Sequence, residues 1–293
     1  MSDLPMSPQV FSILSALVEE RVGLSYTLAD KEIFESKVSL RALEAGFESM
    51  LDYYYCLRYD DPEQREFRRL AEVLLVHETF FFRELEPLRV AIANFVAPRV
   101  RAGHRARIWC AACATGEEPV TIAMLLREAE LDQHVDLVAS DLSESALERA
   151  RKGVFSPRAL RQHRDHPLAV RYLETRPDAI IARSELVNSI DFCSINLIDP
   201  TAVQALGSFD LVVCRNVLIY FGDERTRAVA ELLAARVRDH GALLIGVSES
   251  LMRFGTSLVC EEHGGVFVYR PRDPATHAET QHVEAPRTSR SRS

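Results

Sequence analysis

The sequence predicts an α/β fold, with a mostly parallel sheet flanked by helices, preceded by an all-α N-terminal domain. Three observations carry this. From about Arg107 onward, short apolar runs alternate with helical segments, as in a parallel sheet joined by crossover helices. Residues 1–75 carry helix signals only. At the start of the alternating region, Ile108–Met124, IWCAACATGEEPVTIAM, reads as strand, tight small-residue turn and helix.

Ser7-Pro8 offers an N-cap with proline at the first helical position, followed by a stripe of Val10, Phe11, Leu14, Leu17 and Val18. Asp30 is placed to cap a second helix through Ile33, Phe34 and Val38, ending near Gly46. Asp61-Pro62 repeats the cap-plus-proline signal before Phe67, Leu70, Val73 and Leu74. Beyond residue 75 the predicted strands are Arg107–Cys110, Val135–Ser140, Phe209–Cys214 and Ala242–Val247, with a late antiparallel addition at Gly265–Tyr269. Helices are predicted over Glu118–Ala129, Ser145–Lys152 and Glu224–Arg236. Residues 157–195 interrupt the alternation with prolines 157, 167 and 177 and two β-like pieces, Ala179–Ala182 and Ser189–Ile195, so they read as an inserted subdomain. Residues 271–293 are polar, lack aromatics and read as a disordered tail.

Composition narrows the function. The 293 residues are 47% hydrophobic and 27% charged, with a net charge of −8 and no long basic run before the tail. Nucleic-acid binding through phosphate contacts is therefore not expected. No apolar stretch approaches the roughly 18 residues that span a bilayer, and MSDLPMSPQVF lacks the basic start and apolar centre of a signal peptide. Six scattered cysteines (Cys56, Cys110, Cys113, Cys193, Cys214, Cys260) make no disulfide framework, so a reducing cytoplasm is expected. We expect a monomer.

The turn at Gly116 should let a cofactor approach the backbone closely. Glu117 and Glu118 beside it would repel a diphosphate but suit hydroxyls or positive charge. S-adenosylmethionine carries both, on its ribose and its sulfonium-bearing amino acid. Asp141 ends the run Val135–Ser140, 25 residues after Gly116, near the separation at which a carboxylate reaches ribose hydroxyls. The alternative is an N-cap for the helix near Ser143. His77–Glu84, HETFFFRE, joins three phenylalanines to polar flanks, the aromatics reading as packing. Thr79 and Arg83 share a face if this piece is helical. Arg83 offers a fork for a carboxylate, or a structural ion pair with Glu78 or Glu86. Position 81 is Phe, so no HExxH zinc signature is present. In FDLVVCRNVLIYF the strand ends at Arg215-Asn216, where polar groups face a ligand crevice; Tyr220 either lines that crevice or packs in the core. Trp109–Cys113 has the WCxxC spacing of a redox motif, but its acidic neighbours would raise a thiol pKa, and no second cysteine or histidine set implies a metal.

HETFFFRE, AACATGEEPVTIAM, SDLSESALERARKGVFS and FDLVVCRNVLIYF, in this order, resemble the chemotaxis receptor methyltransferases, the CheR family. The similarity covers roughly residues 10–270. It implies a helical N-terminal domain, a Rossmann-like S-adenosylmethionine domain (76–270) and a small inserted β-subdomain at 157–195. It further implies methyl transfer to glutamate carboxylates of chemoreceptors or related signalling proteins, with S-adenosylhomocysteine as product. By the same match His77, Thr79, Arg83, Glu117, Asp141, Asn196, Leu197, Arg215 and Asn216 contact cofactor, while Tyr220 borders the methyl-transfer site; from the chemistry, Arg83 or another nearby arginine is expected to orient a carboxylate there. Two features depart from the family pattern. His77 stands where the first motif commonly opens with Asn, and residues 1–60 hold five Lys/Arg against ten Asp/Glu, net −5, where the family uses a basic helical face.

Overall fold

The computed structural model describes residues 4–272. The N-terminal helices are α1 (Pro8–Val22), α2 (Lys31–Glu44), α3 (Met50–Tyr55) and α4 (Arg65–Leu74), followed by α5 (Leu85–Ala91) and α6 (Ala97–Arg101). The α/β part then runs β1 (Ala106–Ala111), α7 (Glu117–Glu128), β2 (Val135–Asp141), α8 (Glu144–Lys152), β3 (Val154–Phe155), α9 (Pro167–Tyr172), β4 (Leu173–Thr175) and β5 (Ile180–Ala182). It continues with α10 (Ser184–Val187), β6 (Ile190–Ser194), α11 (Pro200–Ala205), β7 (Phe209–Cys214), α12 (Asp223–Ala234), β8 (Val237–Ile245), β9 (Leu258–His263) and β10 (Val266–Pro271).

Ser7 caps α1 as expected, accepting the Val10 amide, with Pro8 opening the helix. Asp30 acts in the other direction: its carboxylate accepts the Thr27 amide and hydroxyl, and makes no cap bond to α2. Asp61 does cap α4, through the Arg65 and Phe67 amides, but Pro62 lies in the preceding turn rather than at the first helical position. Phe34 and Val38 enter the N-terminal core, whereas Ile33 is 64% exposed, one residue off the buried face of α2.

The main sheet has seven strands in the order β6-β2-β1-β7-β8-β10-β9. β6, β2, β1, β7 and β8 are parallel, and β10 and β9 add on antiparallel. The order in which strands are added reverses between β1 and β7, with β2 and β6 on one side and β8 on the other, so the crevice above their carboxyl ends is the switch point where ligands bind in such sheets. A second sheet, β3-β5-β4, is separate and antiparallel. It corrects the expected insertion boundaries. The small sheet begins at Val154, and the Ser189–Ile195 piece contributes β6 to the main sheet, pairing with β2. A short apolar run gives no indication of which sheet will take it. Apart from Pro271 and Arg272, the tail expected over 271–293 lies outside the described residues.

Candidate active site

The crevice above β1 and β7 is a cleft partly open to solvent, with about 890 Å³ of empty space inside it and at its mouth. Nine of the ten residues singled out from sequence line it: His77, Thr79, Arg83, Asp141, Asn196, Leu197, Arg215, Asn216 and Tyr220. Glu117 does not. Its carboxylate is 4% exposed and accepts the Thr115 hydroxyl at 2.7 Å, and it faces a neighbouring groove. Glu118, one residue on, takes the place in the cleft.

Four loops build the walls. After β1, Ala112 and Ala114 hold left-handed φ of 56° and 47°, so the chain doubles back on small side chains beside the cleft. Gly116 has a different task from the one expected. It opens α7 at φ 97°, and a Cβ there would stand 2.6 Å from the Ala150 Cβ, so its missing side chain lets α8 approach. The small residues that leave room for a ligand are Ala112 and Ala114. After β2, Asp141 lines the cleft while one oxygen accepts the Ala114 amide at 2.8 Å and the other the Ser143 amide at 2.9 Å. Ser143, not Asp141, is the N-cap of α8. Burial pushes the Asp141 carboxyl above the usual aspartate range, against the pull of those two amides.

After β7, Arg215 is fully buried, its terminal nitrogens shared between Glu118 and Glu84 and its Nε without a partner. Burial pushes the Glu84 carboxyl up, but the hydrogen bond and charge of Arg215 outweigh this and hold it below its ordinary value. Asn216 is left-handed at φ 59°. Its amide, together with those of Leu218 and Gly246, donates to the Glu249 carboxylate. Glu249 was not anticipated. A lone acid past a strand end carries no sequence signal for the three amides it collects.

The segment 75–84 is not helical, so Thr79 and Arg83 do not share a helix face; it is an irregular loop with left-handed Phe82 and Glu84. Phe81 and Phe82 are buried, as expected of packing residues. Phe80 lies between the Arg161 and Arg83 guanidiniums, 3.7 and 5.6 Å from its ring centre. Arg83 has no carboxylate within salt-bridge distance among the described residues and donates only to the Glu78 carbonyl, leaving its fork available. The Nε2 of His77 is buried and without a partner. Three of the eight left-handed non-glycine residues, Ala112, Ala114 and Asn216, line this one cleft, and Phe82 and Glu84 flank its lining residue Arg83; strain of this kind concentrates at functional sites.

The N-terminal domain closes the cleft. Val22, Leu24 and Leu75 line it. The Ser25 amide donates to the Tyr220 carbonyl, the Asn196 side chain donates to the Arg21 carbonyl, and Glu72 accepts from the Ser143 and Ser145 hydroxyls. Tyr220 is partly buried between the two domains.

The thiols of Cys110 and Cys113 are buried, and burial together with nearby carboxylates (Glu118 for Cys110, Asp141 and Glu118 for Cys113) pushes both well above the ordinary thiol value. This is the opposite of a redox-active pair.

Residues 77–262 match the family described as CheR methyltransferase, SAM binding domain. The chain is 32% identical over 243 residues to chemotaxis protein methyltransferase 2 of Vibrio cholerae, covering 81% of this chain and 84% of that protein. It is 34% identical over 238 residues to chemotaxis protein methyltransferase 2 of Pseudomonas aeruginosa, covering 78% and 82%. No helix among the described residues is long and apolar enough to cross a membrane.

Proposed function

The chain belongs to the CheR methyltransferase family, and from that premise we propose that it methylates glutamate side chains of chemoreceptor-type proteins at the cleft above β1 and β7. It is an S-adenosylmethionine-dependent methyltransferase with a chemotaxis role. The acceptor residue, the residue roles, the division into domains at 75/76 and a monomeric, cytoplasmic state are parts of our reading.

The observation that carries the reading is the complementarity of the lining. Asp141 retains acceptor capacity after its two backbone bonds, as a ribose diol requires. Arg83 is an uncommitted fork for a carboxylate, and His77 and Arg215, which also line the cleft, each keep a buried nitrogen without a partner. Asn196 and Leu197 supply a polar and an apolar contact on the β6 side.

S-adenosylmethionine supplies, when bound, a methyl group already activated on sulfonium. An acceptor glutamate, with an ordinary pKa of about 4.3, is ionised at neutral pH, so the chain has no proton to remove. Its residues instead align and desolvate. Arg83 orients a carboxylate, Tyr220 borders the reacting oxygen, and Val22, Leu24 and Leu75 exclude water. Alignment of this kind supplies up to roughly 7–11 kcal/mol. Arg215, already neutralised by Glu84 and Glu118, holds the floor of the site without gripping the acceptor; too tight a hold on the attacking oxygen would blunt it.

Calorimetry with S-adenosylmethionine and S-adenosylhomocysteine, on the wild type and Asp141→Ala, tests the site. Binding of both, lost in the variant, is expected, together with base-labile methyl incorporation into chemoreceptor-containing membranes. Wild-type affinity in Asp141→Ala would remove Asp141 from the site, and base-stable incorporation would remove glutamate as the acceptor.

A further inference from the structure

The N-terminal domain is acidic, and among all 293 residues Asp and Glu outnumber Lys and Arg by 43 to 35. Within this acidic chain, residues 149–164 hold six Lys/Arg and no Asp or Glu. They are interleaved with apolar and polar residues, which is why they do not read as a basic run. The fold gathers four of them. Arg149, at the end of α8, and Arg158, Arg161 and Arg164, in the segment after β3, line one groove with about 1510 Å³ of empty space, part of it open to solvent. This groove shares the wall His77–Glu78–Thr79 with the methyl-transfer cleft.

The arginines are not spent on structure. Arg149, Arg158 and Arg164 are exposed and have no carboxylate within 4 Å among the described residues. Arg161 is the exception; it binds Glu78 at 2.7 Å and stacks on Phe80, masking the negative charge on the shared wall. The other acid in the groove, Glu117, is buried against Thr115. Complementing a helix C-terminus accounts for Arg149 alone. Arg158 and Arg164 have no such explanation.

We infer that this groove is the docking surface for an acidic polypeptide segment of the methyl-accepting protein, held beside the cleft by Arg149, Arg158 and Arg164. The inference rests on the methyl-transfer reading above and supplies the cationic surface that the N-terminal domain lacks. A patch this size acts within a Debye length of about 8 Å at physiological salt, so a short acidic segment feels it while the net charge of the chain repels a long polyanion.

The test uses the full chain and the variant Arg149→Glu/Arg158→Glu/Arg164→Glu, with a glutamine triple variant as the milder second form. The first probe is a fluorescein-labelled Glu/Ala helical peptide, read by anisotropy against a labelled single-stranded DNA oligonucleotide. The second is methyl transfer to chemoreceptor-containing membranes, with S-adenosylmethionine affinity measured in parallel. We expect peptide binding roughly tenfold or more weaker in the Glu variant, as three exposed contacts turned repulsive predict. The KM for receptor should rise, with kcat and cofactor affinity retained, and the Gln variant should fall between. Unchanged peptide binding and KM in both variants would overturn the inference and leave the methyltransferase reading intact. Tighter binding of the oligonucleotide than of the peptide would overturn it in favour of a nucleic-acid surface. Failure of the wild type to bind cofactor would count against the methyltransferase reading, while the peptide arm still reports on the groove.

Discussion

Asp141→Asn separates the two roles the structure gives this side chain. The carboxylate braces the cleft wall through the Ala114 and Ser143 amides, and it presents its remaining lone pairs to the cleft. Asparagine keeps one acceptor oxygen and turns an NH2 toward one of the amides. That buried mismatch costs about 1–3 kcal/mol of stability. Loss of a charge-assisted hydrogen bond to a ribose hydroxyl costs about 1.5–3 kcal/mol of cofactor affinity. At 1.4 kcal/mol per tenfold, the variant should bind S-adenosylhomocysteine roughly 10- to 150-fold more weakly. The deciding assay is calorimetry as a double-mutant cycle, pairing wild type and variant with S-adenosylhomocysteine and its 2′,3′-dideoxyribose analogue. If the carboxylate reads the diol, the dideoxy analogue binds both proteins alike. Equal losses for both ligands would show that Asp141 acts only through the wall, and would refute its assignment as a ribose contact. Because burial raises its pKa, affinity for the natural ligand should also decline from a higher pH than an ordinary aspartate would produce.

Tyr220→Phe should lower kcat by about tenfold, or 1.4 kcal/mol, with cofactor affinity unchanged; wild-type turnover would make the hydroxyl incidental. Gly116→Ala should cost about 1–3 kcal/mol, seen as a lower Tm, because its Cβ meets Ala150 at 2.6 Å and its φ is 97°. Glu249→Gln leaves at least one of three amides facing an NH2 group, costing about 1–3 kcal/mol; a Tm drop with weaker cofactor binding is expected, whereas loss of neither would make the amide cluster dispensable. Glu117→Gln should stabilise the protein at neutral pH and leave cofactor affinity intact. Burial raises the folded-state pKa of Glu117, so its ionised form disfavours folding above that pKa, and the cost fades as pH falls through it to the unfolded value. Thermal melts of variant and wild type should therefore converge in acid; a gap of constant size would contradict the linkage.

Periodicity and caps made the alternating α/β region and the α1 cap legible in the sequence, because both depend on neighbours in the chain. What they could not convey is pairing between distant segments. Ser189–Ile195 reads as a strand, but its membership of the main sheet depends on β2. Ile33 fits the apolar stripe of α2 yet points outward, since only the packing of α1 and α4 defines the inner face. At the site, residues just past strand ends were legible because parallel strands deliver them to one crevice. The choice between Glu117 and Glu118 was not, as one residue on the first turn of a helix swings a side chain through roughly 100°. Glu249 was hidden for the same reason as β6: its partners are backbone amides some 30 residues away in sequence, at Asn216 and Leu218.

The closure of the cleft by the N-terminal helices bears on how the molecule is made. The Arg21 carbonyl meets the side chain of Asn196, 175 positions later, and Ser25 meets Tyr220. During synthesis the helices emerge first and have their own core, while the segments they must dock against are still untranslated. Contacts of such long sequence separation are slow to form. The cleft is therefore among the last parts of the molecule to be assembled, and a nascent or partly folded chain has a finished core before it has a catalytic chamber.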